Sequence, residues 1–134
     1  MKEEYREMWR RCADFHGHEC GGLAVGFQAS LYAMELLGVN ERAGDEEMVC
    51  VTENDACGVD AIQALLGCTV GKGNLLFRMR GKQAFSFYDR KTEKSVRLML
   101  RATPEKTKDE RLDWLMNGDY HDMFDVKTAP DPLP

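Results

Sequence analysis

The chain reads as an α+β domain, with N-terminal helices packed on a mainly antiparallel sheet. Three observations predict this class. Apolar residues recur at helical spacing through the first 37 positions. A short β-branched run at 48–52 is followed by one brief helical stretch. Three further apolar runs then follow one another with polar turns between them. Helices first, then a strand and helix, then a meander is α+β order, not the steady alternation of a doubly wound sheet.

Tyr5, Met8, Trp9, Cys12 and Phe15 mark the apolar side of a helix over residues 3–15. Gly17 and the Gly21-Gly22 pair break the pattern and make the intervening segment a loop. Leu23, Phe27, Leu31 and Met34 define a second helix over 22–37, closed by Gly38. Residues 48–52, Met-Val-Cys-Val-Thr, suit a buried strand. A turn at 55–58 leads into a helix over 59–66 that ends at Gly67. Strands are predicted at 75–80, 84–88 and 95–102. In the last, Val96, Leu98 and Leu100 alternate with Arg97, Met99 and Arg101, as in a half-buried antiparallel strand. Thr103-Pro104 suits a helix start, with a cap followed by Pro at the first helical position. Leu112, Leu115 and Met116 give that helix its apolar side. One domain is expected over 1–126, with a loose Pro-rich tail at 127–134.

With 134 residues the chain is long enough to bury a core without disulfide staples. Its hydrophobic content of 43% argues against wholesale disorder. A net charge of −5 disfavours non-specific nucleic-acid binding, which draws its affinity from Lys and Arg on phosphates. No apolar run approaches the roughly 20 residues that cross a bilayer, and the charged first residues do not resemble a signal peptide. Five cysteines cannot all pair within one chain, so thiols, ligands or core residues in a reducing cytoplasm are expected.

The chemistry concentrates in Phe15-His16-Gly17-His18-Glu19-Cys20-Gly21. His16, His18 and Cys20 are spaced by two, so in an extended segment they would face one point. Imidazole and thiolate are favoured ligands of zinc and other borderline-soft metals. A second cluster, Glu53-Asn54-Asp55-Ala56-Cys57-Gly58, could close the site. Cys20 and Cys57 each precede a predicted helix, where the helix N-terminus would lower the thiol pKa. Taken alone, Cys57 fits a ligand or a buried small residue equally well. His18, Cys20 and Cys57 would leave one metal position open, and His16 would supply a fourth ligand. Asp55 and Glu53 could orient an imidazole or act as a base, or could cap the following helix. Cys12 and Cys50 read as core, Cys68 as structural and His121 as a surface residue.

Closed-site and nucleotide signatures are lacking. There is no Cys-x-x-Cys pair and no His-Glu-x-x-His. The stretch from Gly67 to Gly73 is one residue short of a phosphate loop, and Gly73 stands where a magnesium-binding hydroxyl would be needed. Its glycines and Lys72 could hold a carboxylate or phosphate, or could form a tight turn.

Three blocks resemble the core domain of the formylmethanofuran dehydrogenase FmdE family. They are Phe15-His16-Gly17-His18-Glu19-Cys20, the run from Glu53 to Gln63, and the run from Gly67 to Leu75. The resemblance extends over about residues 12–101. It implies an α+β core that forms intertwined homodimers. It also implies a metal-associated pocket with His16, His18, Cys20 and Cys57 as candidates and Asp55 and Lys72 nearby. Many members add a zinc-finger domain whose roles are not expected to transfer to this Pro-rich end. Members often carry Cys-Pro-Gly where this chain has Cys20-Gly21-Gly22, which leaves the helix start softer. The expected function is a zinc-binding, dimeric protein that acts on or senses a small molecule. In that reading Asp55 orients or accepts a proton, and Lys72 fixes an anionic group. The alternatives are a non-catalytic accessory or metal-delivery component of a larger redox complex, and a structural metal that staples two loops.

Overall fold

In the computed structural model, residues 1–40 and 47–128 are described. Three helices, α1 (Glu3–His16), α2 (Gly21–Leu37) and α3 (Gly58–Leu66), carry the first half, with β1 (Met48–Thr52) between the second and third. Strands β2 (Leu75–Phe77), β3 (Ala84–Asp89) and β4 (Ser95–Leu100) follow, then α4 (Lys108–Asn117), a 3-10 turn at Tyr120–Asp122 and β5 (Phe124–Thr128). The sheet order is β2-β1-β3-β4-β5. Among these strands only the β1–β2 pair is parallel, with Cys50 opposite Leu75, and α3 makes the crossover. The other pairs are antiparallel. The predicted class therefore holds.

Register explains the core. Cys50 lies opposite Phe87, and Phe87 opposite Val96; Phe85 lies opposite Leu98. These residues join Phe27, Leu23 and Leu31 of α2 in one buried cluster. α2 packs on β3 and β4 and carries buried residues around most of its circumference. The helix therefore runs through the core, with its own start at the surface. On the alternate side of the sheet, Arg97 donates to both carboxylate oxygens of buried Glu53 at 2.8 and 3.0 Å.

The approach of α2 to α3 depends on glycine. A Cβ at Gly26 would fall 1.9 Å from the Gly58 carbonyl oxygen, and one at Gly22 would fall 3.2 Å from Cys57 Cβ. The two helix starts therefore touch.

Several expectations shift. β2 stops at Phe77, opposite Thr52 at the end of β1, and beyond it the Arg78 and Arg80 N–H groups bond the Thr52 and Glu53 carbonyls. The last helix begins at Lys108, not after Thr103. Thr107 and Glu110 form a reciprocal capping box, satisfying two orphan donors that Thr103-Pro104 would not. β5 is a strand that sequence patterning missed, and it takes Lys127 and Thr128 from the expected tail. Residues 129–134 lie outside the described residues. Phe15 and Leu112 are exposed and do not belong to the buried stripes, whereas Leu115 is fully buried. Among the described residues, no helix is long and apolar enough to cross a membrane.

Candidate metal centre

Four potential ligands meet at the starts of α2 and α3. One ligand atom from each of His16, His18, Cys20 and Cys57 lies within 4.8 Å of the others. The convergence does not come from an extended segment, as the spacing by two suggested. His16 is the last residue of α1. Gly17 follows in the left-handed region at φ 99°, and its N–H closes the helix on the Ala13 carbonyl. That reversal turns the chain so that His18 folds back beside His16, with ring centroids 4.5 Å apart.

Glu19, between two of the ligand positions, is held by the Trp9 indole N–H. Cys20 then caps α2, its sulfur accepting from the Leu23 N–H at 3.4 Å. The Gly21-Gly22 start is thus anchored by the cysteine itself.

The second arm is built by Asn54. Its Oδ1 accepts from the Ala56 N–H at 3.0 Å, and its Nδ2 donates to the Lys82 carbonyl at 2.8 Å. Thr52 Oγ1 donates to the Asn54 carbonyl at 2.8 Å. These bonds fix a turn at the end of β1 that delivers Cys57 to the first turn of α3.

One residue that sequence patterning did not single out completes the geometry. Asp60 lies three positions beyond Cys57, on the same face of α3. Its Oδ2 lies 2.7 Å from His16 Nδ1, and Gln63 Nε2 donates to its Oδ1 at 3.0 Å. With Nδ1 donating to the carboxylate, Nε2 carries the lone pair. Nε2 is also the atom 3.9 Å from Cys20 Sγ. A carboxylate behind a histidine is the usual arrangement for a metal-bound imidazole. The available signal was the i, i+3 spacing from Cys57.

The residues expected to assist are placed otherwise. Glu53 is consumed by Arg97, which lowers its pKa from the ordinary carboxylate value. Asp55 is exposed, and α3 has no side-chain cap bond, so its capping role is not seen. Lys72 lies in the loop that follows α3. Its loop is a tight turn: Gly67 and Gly73 have φ of 71° and 78°, and Asn74 binds the Thr69 N–H.

Burial pushes the Cys57 thiol pKa up, and the neighbouring Cys20 sulfur adds to the rise. The helix start does not outweigh these effects, which reverses the expectation for Cys57. Cys12, Cys50 and Cys68 are fully buried, and burial raises the Cys68 thiol to about 12. They are core residues, remote from ligand chemistry.

His16, Cys20 and Cys57 are half-buried, whereas His18 is exposed. His18 borders an open groove of about 540 Å³ shared with Arg6, Trp9, Arg10, Asp14 and Glu19. Two imidazoles and two thiols at this spacing suit a tetrahedral zinc site in donor type and number.

A family model described as FmdE, molybdenum formylmethanofuran dehydrogenase operon, matches residues 15–128. The chain is 38% identical over 95 residues to a probable S-adenosyl-L-methionine-binding protein of Archaeoglobus fulgidus. That match takes in 69% of this chain but 26% of the relative, so the chain spans about a quarter of the curated relative's length. Among solved structures it is similar to a tungsten formylmethanofuran dehydrogenase FmdE-like protein from Syntrophus aciditrophicus. The TM-score is 0.71 at 25% identity, covering 97% of this chain and 73% of the other. The residues matched by the family model include all four candidate ligands and Asp60, and the chain belongs to the FmdE family.

Proposed function

We propose that this protein binds zinc through His16, His18, Cys20 and Cys57, and acts on or senses a small molecule at that metal. The observation that carries the reading is the convergence of four ligand atoms within 4.8 Å. His16, Cys20 and Cys57 are the fixed ligands: one is braced by Asp60, one caps α2, and one sits on the Asn54 turn. Exposed His18 is the exchangeable fourth, which a ligand entering from the groove can replace. Bound zinc would supply Lewis acidity, polarising a carbonyl or lowering the pKa of a coordinated water. The chain's own residues hold and orient the ion.

The exposure of His18 also favours a second reading, an accessory protein that passes metal to a larger redox complex. A short residence time for zinc would single it out. Five free thiols suit a reducing cytoplasm. The family resemblance supports a homodimer, which light scattering checks: a stable monomer at working concentration refutes it.

The function test uses His18→Ala. Zinc should remain bound near one equivalent, with X-ray absorption showing a light oxygen ligand in place of one imidazole. Complete loss of zinc would make His18 a structural ligand and close the site.

A further inference from the structure

We infer that Cys20 and Cys57 form a reversible disulfide that excludes metal, so the centre is also a thiol switch. The inference deepens the metal reading, and it rests on that reading only for the protective effect of zinc.

The two sulfurs belong to different arms of the fold, yet they meet. Both lie within the 4.8 Å cluster, at the starts of α2 and α3. What brings them together is the glycine contact between α2 and α3. Gly22 passes so close to Cys57 that a Cβ there would sit 3.2 Å from Cys57 Cβ. Cys20 is two residues before that point. A disulfide needs its two Cβ atoms about 3.5–4.5 Å apart, and sulfurs already within 4.8 Å of each other leave a short closure to reach it. Turning toward Cys57 costs Cys20 its bond from the Leu23 N–H, and glycine at 21 and 22 puts no side chain in the way.

Selectivity follows from burial. Cys20 and Cys57 are the two half-buried cysteines, and the other three are fully buried. A soluble oxidant therefore reaches this pair first.

The step is an ordinary thiol–disulfide exchange with a low-molecular-weight disulfide. One protein thiolate attacks the oxidant, forming a mixed disulfide and releasing one small thiol. The second protein thiolate attacks the mixed disulfide, forming the Cys20–Cys57 bond and releasing the other small thiol. Two electrons pass from the protein sulfurs to the oxidant, and the two protein protons end on the released thiols. The resulting disulfide sulfurs carry no charge and no longer serve as thiolate ligands, which leaves only His16 and His18. Zinc binding and cross-linking are therefore mutually exclusive.

The test treats the full chain, metal-free and zinc-loaded, with oxidised glutathione, followed by thiol counting and peptide mapping. Metal-free protein should lose two thiols and yield a Cys20–Cys57 cross-link that dithiothreitol reverses. With zinc at about a hundred times its Kd, roughly one site in a hundred stays open, so cross-linking should slow about a hundredfold. Cys20→Ser keeps a helix-capping side chain and should leave Cys57 carrying glutathione with no cross-link. Glutathione on one cysteine of the wild type without a cross-link overturns the inference. So does a cross-link to Cys12, Cys50 or Cys68. Elemental analysis in parallel separates the two readings. A protein that binds zinc but never cross-links refutes the switch alone. One that cross-links but binds no zinc supports the disulfide and refutes the zinc reading.

Discussion

Asp60 provides the sharpest test of how this site is built, because its substitution changes no candidate ligand. Asp60→Asn keeps the side-chain shape and removes the charge that faces His16 Nδ1 at 2.7 Å. The amide must also choose between partners, since Gln63 Nε2 donates to the other carboxylate oxygen at 3.0 Å. Loss of such a supporting group costs about 10–100-fold in metal affinity. The Asp60 side chain is 34% exposed, and solvent screening favours the lower end. The expected loss is roughly tenfold, or about 1.4 kcal/mol. Competition against a chromophoric chelator measures it. Thermal unfolding of the metal-free variant should stay within about 0.5 kcal/mol of wild type, as for a partly exposed substitution. Zinc affinity within twofold of wild type, with the fold intact, would show that Asp60 does not brace His16 as a ligand.

Other perturbations probe the frame around the site. Gly26→Ala drives a methyl group into the Gly58 backbone and should destabilise by about 3 kcal/mol or more, read by urea unfolding; near-neutral stability would refute the α2–α3 contact. Arg97→Ala removes both hydrogen bonds to the Glu53 carboxylate, whose side chain is only 4% exposed, leaving it the more distant Arg80 at 3.9 Å, and should cost about 2 kcal/mol at neutral pH. Because Arg97 holds the folded-state pKa of Glu53 below its ordinary value, that stabilisation is complete above the unfolded pKa. It is lost as pH falls through the folded one, so the variant's deficit should shrink in acid. His121 lies between Asp119 and Glu35, at 2.6 and 2.7 Å, and these carboxylates raise its pKa. Its contribution is therefore complete below the unfolded pKa and fades as pH rises through the folded one. An NMR titration midpoint at or below 6.5 would contradict that placement.

What the sequence showed most clearly was local. β1 falls on the five residues that β-branched patterning marks, and α1 and α2 follow their apolar spacing because Gly17 and Gly38 end them in the left-handed region. The four ligand candidates were legible from residue type alone. What stayed hidden depends on contacts made at a distance. β5 alternates Phe124 and Val126 with Asp125 and Lys127, yet only pairing with β4 distinguishes that pattern from a loop. Thr103-Pro104 resembled a helix start, but a Thr107–Glu110 box four residues later satisfies more orphan groups. The Cys57 thiol was assigned by its helix position, whereas burial beside Cys20 governs it. Local patterns thus named the residues that converge, and packing decided which groups stand behind them.

The central claim is that a zinc ion is held jointly by the loop after α1 and the turn before α3. X-ray absorption at the zinc edge on tag-free protein tests it most directly, alongside elemental analysis. The account predicts one zinc per chain with two sulfur ligands at about 2.3 Å and two nitrogen ligands at about 2.0 Å, and loss of that metal in Cys57→Ala. Zinc bound without sulfur, or equal zinc in Cys57→Ala and wild type, would contradict it.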